Sequence, residues 1–254
     1  MNFAHLLKTE ARLHLITTWE YWFETVTTMI MVSLVFLALF YGIQSFYDKP
    51  GEQPSLDGLL FGYIIWFFSI AAFTSSSQSM ILANQTGIIS QLFLCPLGLV
   101  KLILARVVVI VLWNLLLVTG LAYIAMALTG KWLNINFAVF YLILLAAAPS
   151  LIGVGMMVTG LALVFKRVQT VSGVLLMSCM ALVAVDAYPL NWFSLLPFTL
   201  GASVARDNII GGVPLEIGAL ALVALNSMVY LGLGIVVYKA FEKRAKRLNL
   251  IGHY

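Results

Sequence analysis

The sequence predicts an all-α, polytopic membrane protein with six transmembrane helices. Of its 254 residues, 62% are hydrophobic and only 9% are charged, whereas soluble domains carry about 25% charged residues. Long apolar runs alternate with short polar segments, and a helical span needs about 20 apolar residues. The residues left outside the membrane are too few for a folded soluble domain. We therefore expect a single transmembrane domain over residues 1–254.

Residues 1–25 are predicted to form an amphipathic helix that lies in the membrane interface. Apolar side chains recur there at spacings of three and four between Phe3 and Phe23, which gives a helix one apolar face. Trp19 and Trp22 come just before the first span, and tryptophan is enriched at membrane–water interfaces. The chain is then expected to turn from the interface into the bilayer.

The apolar runs place the spans along the chain. Spans one and two are predicted within residues 26–80, spans three to five within 106–187, and span six at 215–238, followed by a basic tail at 239–254. The individual runs cover residues 26–46, 59–73, 107–128, 137–165, 171–185 and 215–237. The polar stretch of residues 74–79 is expected to close the second span.

The positions of lysine and arginine predict the orientation. With a cytoplasmic N-terminus, the outside holds Lys49, Lys131 and Arg206, and the inside holds Lys8, Arg12, Lys101, Arg106, Lys166, Arg167, Lys239, Lys243, Arg244, Lys246 and Arg247. Cytoplasmic loops carry an excess of basic residues in membrane proteins, so both termini are expected in the cytoplasm, with the tail at the anionic inner leaflet. This placement accounts for the net charge of +4 without a nucleic-acid partner.

Cysteine and histidine are too sparse and too scattered for several kinds of chemistry. Cys95 falls in a predicted cytoplasmic loop and Cys179 in a span, so neither a disulfide framework nor a CxxC metal pair is expected. His5, His14 and His253 all fall outside the spans, which argues against intramembrane haem ligation. We predict no catalytic residues, no metal site and no cofactor in this chain.

The long connection at residues 81–105 contains a short apolar helix that is predicted to project into the cytoplasm. A polar turn ends at Gly87, and Pro96 suits the first turn of the next helix. The chain offers this helix nothing to bury against, and an exposed apolar patch usually marks a partner surface. The predicted surface consists of Gln85, Gly87, Ile88, Ile89, Gln91, Leu92, Phe93 and Pro96.

The outer segment at residues 188–214 is too apolar for a solvated loop and too interrupted for a span. Pro189, Pro197 and Gly201 break it, and Arg206 lies in its second half. Broken backbone is tolerated at membrane depth only when protein protects it or when it lines water. A re-entrant or interfacial helical segment is therefore expected.

The order of these features resembles the permease subunits of ATP-binding-cassette (ABC) exporters of the type-two superfamily. The glycine turn, the short apolar helix and Pro96 are similar to that family's coupling-helix loop, and Leu196, Pro197 and Arg206 are similar to part of its outer re-entrant segment. The family pattern resembles G-T-L-E-x-L-x-x-x-P; here Ile88 stands in place of threonine, and the acidic residue is missing.

The resemblance implies the composition of the whole transporter. Two ATPase subunits would bind ATP and Mg²⁺ and dock on the coupling helices, and a second permease, either another copy or a related chain, would face this one in the lipid bilayer. Such an exporter would carry a hydrophobic or amphipathic compound, such as a drug, an antibiotic, a peptide or a lipid-like molecule, across the inner membrane of a prokaryotic cell. Multidrug resistance is one expected role.

The energy source is expected to lie in another polypeptide, because the chain has no GxxxxGK[ST] phosphate-binding loop. One alternative is an ion-coupled secondary carrier, although such spans normally carry charged residues and the two halves of this chain show no matching repeat. A membrane-embedded enzyme is the third possibility, and it lacks a paired acid, histidine or Cys–His constellation.

Polar residues within the spans are the candidates for a substrate route. The predicted set is Tyr63, Thr74, Ser75, Asn114 and Asn226. Mid-span amides stand out because they need an interhelical or cavity partner. Serine, threonine and asparagine in spans also bond to a neighbouring helix or to their own preceding turn, so this alternative stays open for each of them.

Overall fold

The computed structural model describes residues 3–46, 56–85, 98–130, 132–165 and 168–248. Within these ranges it contains α-helices, one short 3₁₀ helix at Trp192–Leu195 and no strand, which confirms the predicted all-α class. The α-helices are α1 (Phe3–Glu20), α2 (Trp22–Phe46), α3 (Leu56–Gln85), α4 (Leu99–Thr129), α5 (Phe137–Val164), α6 (Gln169–Ala184), α7 (Thr199–Ile209) and α8 (Ile217–Arg247).

Five of these helices, α2, α3, α4, α5 and α8, are long and apolar enough to cross a membrane. The protein is therefore a multi-pass membrane protein. The predicted fifth span corresponds to α6, which has only 16 residues and so a length of about 24 Å, against a hydrocarbon core of about 30 Å.

The relative directions of α3, α5 and α8 show that α6 crosses back between the two ends of the bundle. Phe61 contacts Phe140 and Ser76 bonds to Thr159, so α3 and α5 run in the same direction. The pairs Ala147–Ser227 and Gly160–Tyr238 show the same for α5 and α8. The chain must therefore return between α5 and α8, and α6 makes that return despite its short length.

Helix α5 forms the centre of the bundle through its small residues. Gly153 lies against the backbone of Tyr230, and Gly234 lies against the backbone of Gly153, so α5 and α8 meet with their main chains in contact. On its other side, Gly155 lies against Ser76 of α3. Without a hydrophobic driving force between helices in lipid, such close approach is a main source of stability.

Hydroxyl groups add hydrogen bonds between these central helices. Ser76 Oγ donates to the Ile152 carbonyl at 3.3 Å, and Thr159 Oγ1 donates to the Ser76 carbonyl at 2.8 Å. Ser227 Oγ donates to the Ala147 carbonyl at 3.2 Å. The helices α3, α5 and α8 are thus joined by both contact and hydrogen bonding.

Helices α3, α4 and α8 extend beyond the apolar runs that predicted the spans. Helix α3 continues to Gln85 through the serines that were expected to close the second span. The hydroxyls of Ser75 and Ser77 bond to carbonyls of the preceding turn, so they need no water within the bundle. Helix α4 begins at Leu99, within the segment predicted as cytoplasmic loop. Helix α8 runs without a break to Arg247, so much of the predicted basic tail is a helical extension.

Charge separates the two ends of the bundle. The ends of α3 and α8 and the start of α4 form one end, which carries Lys101, Arg106 and the basic residues of 239–247; we call it the basic end. The opposite, acidic end carries Asp57, Asp186, Asp207 and Glu216. Arg206 is the one basic residue that the described part of the chain places there.

Candidate functional site

The predicted coupling helix falls outside the described residues. Gly87, Ile88, Ile89, Gln91, Leu92, Phe93 and Pro96 all belong to residues 86–97, for which the structure gives no description. Gln85 is the last residue of α3, and α4 begins at Leu99. Both flanking helix ends lie at the basic end, so the connection between them starts and finishes there.

Helix α1 is docked against α4 near this end. Glu10 is buried and its carboxylate accepts a hydrogen bond from Arg106 Nε at 3.1 Å. His14 packs edge-on against Trp113, with 6.0 Å between the ring centroids. Burial lowers the pKa of His14, and the neighbouring Glu10 carboxylate opposes that shift. One face of α1 is therefore held by side-chain contacts.

The side of α1 that points away from α4 is exposed and mixes large apolar side chains with Lys8 and Arg12. Its side chains include Leu13, Ile16 and Trp19, of which Trp19 is 84% exposed. A helix with one docked face and one exposed aromatic face suits the boundary between lipid headgroups and acyl chains. One side of the predicted amphipathic helix thus contacts α4, and its other side is exposed to the surroundings of the protein.

The outer segment folds back onto the bundle at the acidic end. The Asn226 amide of α8 donates to the carbonyls of Ser194 and Leu196, at 2.7 and 3.2 Å. Tyr230 Oη donates to the Leu195 carbonyl at 2.8 Å. Pro197 follows these residues, in the turn between the 3₁₀ helix and α7. Three carbonyls of the segment are therefore satisfied by α8, which holds the segment against the bundle.

Arg206 fixes α7 to the end of α6. Its guanidinium forms an ion pair with Asp186 and donates to the Val183 carbonyl, one of the last carbonyls of α6. Burial raises the pKa of the neighbouring Asp207; the Asp186 charge adds to that shift, and Arg206 opposes it. Arg206 thus forms an ion pair with Asp186 and lies close enough to Asp207 to affect its charge.

A cavity of about 400 Å³ opens beside Arg206, between α2, α3, α6 and α7. Its walls are mostly apolar and aromatic; they comprise Phe36, Leu39, Gly58, Leu59, Gly62, Tyr63, Trp66, Met180, Val183, Ala184 and Arg206. The Tyr63 ring stacks on Phe36 with 4.5 Å between centroids, and its hydroxyl donates to the Val32 carbonyl. Apolar concavities of this size with a few polar groups are where small molecules usually bind.

The structure brings only part of the predicted route together. Of the five predicted route residues, Tyr63 lines the cavity, and Arg206 of the predicted outer segment lies beside it there. Thr74 and Ser75 bond to carbonyls of their own helix at 2.9 and 2.7 Å, as does Asn114 at 2.9 Å. Their hydrogen bonds are thus satisfied locally, and Asn226 is occupied by the outer segment. A role of these four in a route stays a prediction.

Sequence reasoning missed most of the cavity wall. Phe36 and Trp66 were not distinguishable from the many aromatic residues of the spans. The available signal was the Gly58–Gly62 pair, since two glycines four residues apart leave a shallow groove on one face of a helix. The same spacing also serves helix packing, so it does not by itself predict a cavity.

Comparison with known families agrees with this architecture. A model of the ABC-2 type transporter family matches residues 2–210, which is well over half of the chain and runs from α1 to the end of α7. No curated protein and no solved structure matches the chain.

Proposed function

Because the chain belongs to the ABC-2 type transporter family, and so is the membrane subunit of an ABC transporter, we propose that it exports a hydrophobic or amphipathic compound. The family match carries this proposal. It is supported by the apolar cavity of about 400 Å³ between α2, α3, α6 and α7. Drugs, antibiotics, peptides and lipid-like molecules all belong to the proposed substrate range, and multidrug resistance is a corresponding role.

The proposed energy source is a separate ABC ATPase subunit, present in two copies, that binds ATP and Mg²⁺. The whole sequence lacks a phosphate-binding loop. The ATPase would dock on residues 85–96 at the basic end. Support comes from α3 and α4, which deliver both ends of that connection to the same end of the bundle.

The proposed orientation places the basic end in the cytoplasm of a prokaryotic cell, with both termini inside. Lys101, Arg106 and the basic residues of α8 lie at that end, and cytoplasmic loops are rich in Lys and Arg. ATP binding would then bring the ATPases together, and their motion would shift the membrane subunits between inward-facing and outward-facing states.

A second permease subunit, either another copy or a related chain, completes the proposed transporter. The described parts of α2 and α8 present long apolar faces to their surroundings, including Met31 and Leu34 on α2 and Leu225 and Val236 on α8. Lipid and a second subunit would share these faces.

The coupling-loop assignment is tested by charge substitution. Leu92→Asp with Phe93→Asp should release the ATPase from membranes and abolish its stimulation, because the new charges would face the docking surface. The matched control is Leu190→Asp with Leu195→Asp, a pair of exposed leucines at the acidic end, which should keep the ATPase bound. Co-purification and ATP hydrolysis measure both.

Two results would contradict the proposal. Retention of full ATPase binding and stimulation in the loop variant would show that the docking site lies elsewhere. Transport driven by a proton gradient in a preparation without any nucleotide-binding partner would favour an ion-coupled carrier instead.

A further inference from the structure

The cavity at the acidic end has a distinctive combination of shape and charge. Its volume of about 400 Å³ falls in the range of small-molecule pockets, about 300–1,000 Å³. We propose that it binds an anionic amphiphile, a molecule with an alkyl or aromatic body and one carboxylate or phosphate group beside Arg206. The inference rests on the proposed function only in treating this ligand class as cargo.

The apolar part of the cavity is suited to a hydrocarbon body. Phe36 and Leu39 of α2 and Met180 of α6 face Gly62 of α3 across the space. A Cβ atom built on Gly62 would meet no atom within 4 Å. Gly62 thus borders open space and is not held by a close helix contact, so the room there is available to a ligand.

Charge selects the polar part of the ligand. Among the described residues that line the cavity, Arg206 is the one that carries a charge, and no carboxylate lines it. The guanidinium has five N–H groups, and its contacts to Asp186 and Val183 use two of them. An anion can therefore receive charge-assisted hydrogen bonds, whereas a cation would face Arg206 without a counter-charge in the wall.

The carboxylates near Arg206 weaken this preference but do not face a ligand, because neither Asp186 nor Asp207 lines the cavity. The Asp186 side chain is also 77% exposed, so water screens its charge more strongly than it would screen the charge of a ligand inside the cavity. The wall also contains Trp66, whose buried Nε1–H has no hydrogen-bond partner in the described part of the chain. The Nε1–H of Trp66 is itself buried and does not reach the open space, so the Arg206 guanidinium is the charged donor that the wall offers to an acceptor on the ligand.

The test uses photo-crosslinking of the purified full chain in phosphatidylcholine nanodiscs, without ATP. The probes are a diazirine-bearing dodecanoate and the matching dodecanol, and labelled peptides are identified by mass spectrometry. The dodecanoate should label α2, α3 and α6 near the cavity. Dodecylammonium should compete with it less well than unlabelled dodecanoate does.

Two charge variants separate ligand recognition from a structural role, since both break the same ion pair. Arg206→Gln should weaken dodecanoate binding about tenfold, the loss of one charge-assisted interaction, and leave dodecanol binding unchanged. Asp186→Asn should tighten dodecanoate binding, because the guanidinium loses its competing counter-charge. Equal weakening of both probes in both variants would show that the pair only holds α7, and would overturn the proposal.

Two glycine variants test the location. Gly62→Leu should fill the cavity and abolish labelling by both probes. Gly232→Leu is the matched control, because a Cβ there also meets no atom within 4 Å and α8 contributes no residue to the lining; it should label normally. Unchanged labelling in Gly62→Leu would overturn the location, and so would stronger competition by dodecylammonium than by dodecanoate.

The source of the amphiphile is distinguished by changing the membrane. Displacement of dodecanoate by phosphatidylglycerol in the nanodisc would identify an anionic membrane lipid as the occupant, whereas its retention would identify a single-chain compound. Because binding is measured without ATPase, a failure here leaves the coupling-loop experiment unaffected, and a failure there leaves this site intact.

Discussion

Helices α8 and α2 are both long, apolar and largely exposed, yet they are joined to the bundle in different ways. Helix α8 meets α5 with main chains in contact through Gly153 and Gly234. Helix α2 meets α3 through side chains, chiefly the stacked rings of Phe36 and Tyr63. The cavity lies on the α2 side and is absent from the α5–α8 contact.

This difference indicates which parts of the molecule can move. Helices that touch through their backbones have few alternative arrangements, because packed interfaces do not deform continuously. A side-chain joint beside a cavity can change by rotating rings and shifting one helix. We therefore expect α3, α5 and α8 to form a rigid unit, and α1 with α2 to form a more mobile edge of the bundle.

The largest expected effect comes from breaking the backbone contact. Gly153→Leu places a side chain against the Tyr230 backbone, so α5 and α8 must separate. The free energy of unfolding should fall by about 3 kcal/mol, at the upper end for overpacking. Thermal unfolding of the detergent-solubilised protein measures it.

The control for this variant is Gly232→Leu, on the exposed side of α8 where a Cβ meets no atom within 4 Å. It should unfold at the wild-type temperature or slightly above, because leucine favours helix over glycine. If both variants lost stability equally, the backbone contact between α5 and α8 would not be a special source of stability, and the distinction between the rigid unit and α1 with α2 would fail.

The second prediction concerns the anchor of the mobile edge. Helix α1 leads into α2 and is fixed to α4 by the ion pair of Glu10 with Arg106. Glu10→Gln should weaken that docking by about 1 kcal/mol, because the pair is only partly buried and solvent screens part of its energy. Faster hydrogen exchange in α1, with α5 and α8 unchanged, is the expected result.

Glu20→Gln, at the exposed end of the same helix, serves as the control and should leave hydrogen exchange as in the wild type. Exchange that rose equally in α8 would mean that α1 stabilises the whole bundle and not its edge alone.

The positions of the helices could be predicted from the sequence better than their contacts. Span four was expected at residues 137–165 and α5 occupies Phe137–Val164, because a long apolar run with polar flanks determines a span. The second helix was underestimated, since the serines after Phe73 looked like a polar end. In the structure they bond within α3 and across to α5, which hydropathy does not report.

The candidate site was less predictable, because it depends on which helix faces meet. The cavity combines residues of four helices that are far apart in sequence, and the sequence pointed only to Tyr63 and Arg206. Asn226 also shows that the sequence does not predict which groups a polar side chain contacts. Its position in a span suggested a route, while its amide holds the carbonyls of Ser194 and Leu196. Composition identifies a polar group in a span, but not its partner.

The third prediction tests hydrogen bonding within the rigid unit. Thr159→Val removes the donor to the Ser76 carbonyl, a bond between α5 and α3. Interhelical hydrogen bonds in membrane proteins contribute about 0.6 kcal/mol on average, so the free energy of unfolding should fall by about that amount. Thr74→Val is the matched control, because that hydroxyl bonds only within α3. An equal loss in the two variants would show that the interhelical bond adds nothing.

The smallest expected effect is the pH dependence of the α1 anchor. Burial lowers the pKa of His14 from its ordinary value of 6.5, against the opposing charge of Glu10, so docked α1 favours the neutral ring. His14 packs on Trp113, next to the Glu10–Arg106 pair that anchors α1. The contribution of His14 to docking is therefore complete above about pH 6.5 and is lost as the pH falls through its lowered pKa.

Hydrogen exchange in α1 should accelerate as the pH falls over that interval. The variant His14→Gln should remove this pH dependence. The control His5→Gln, at an exposed position on the same helix, should retain it. If the pH response persisted in His14→Gln, another titratable group would be its cause, and the docking of α1 on α4 would not depend on the protonation of His14.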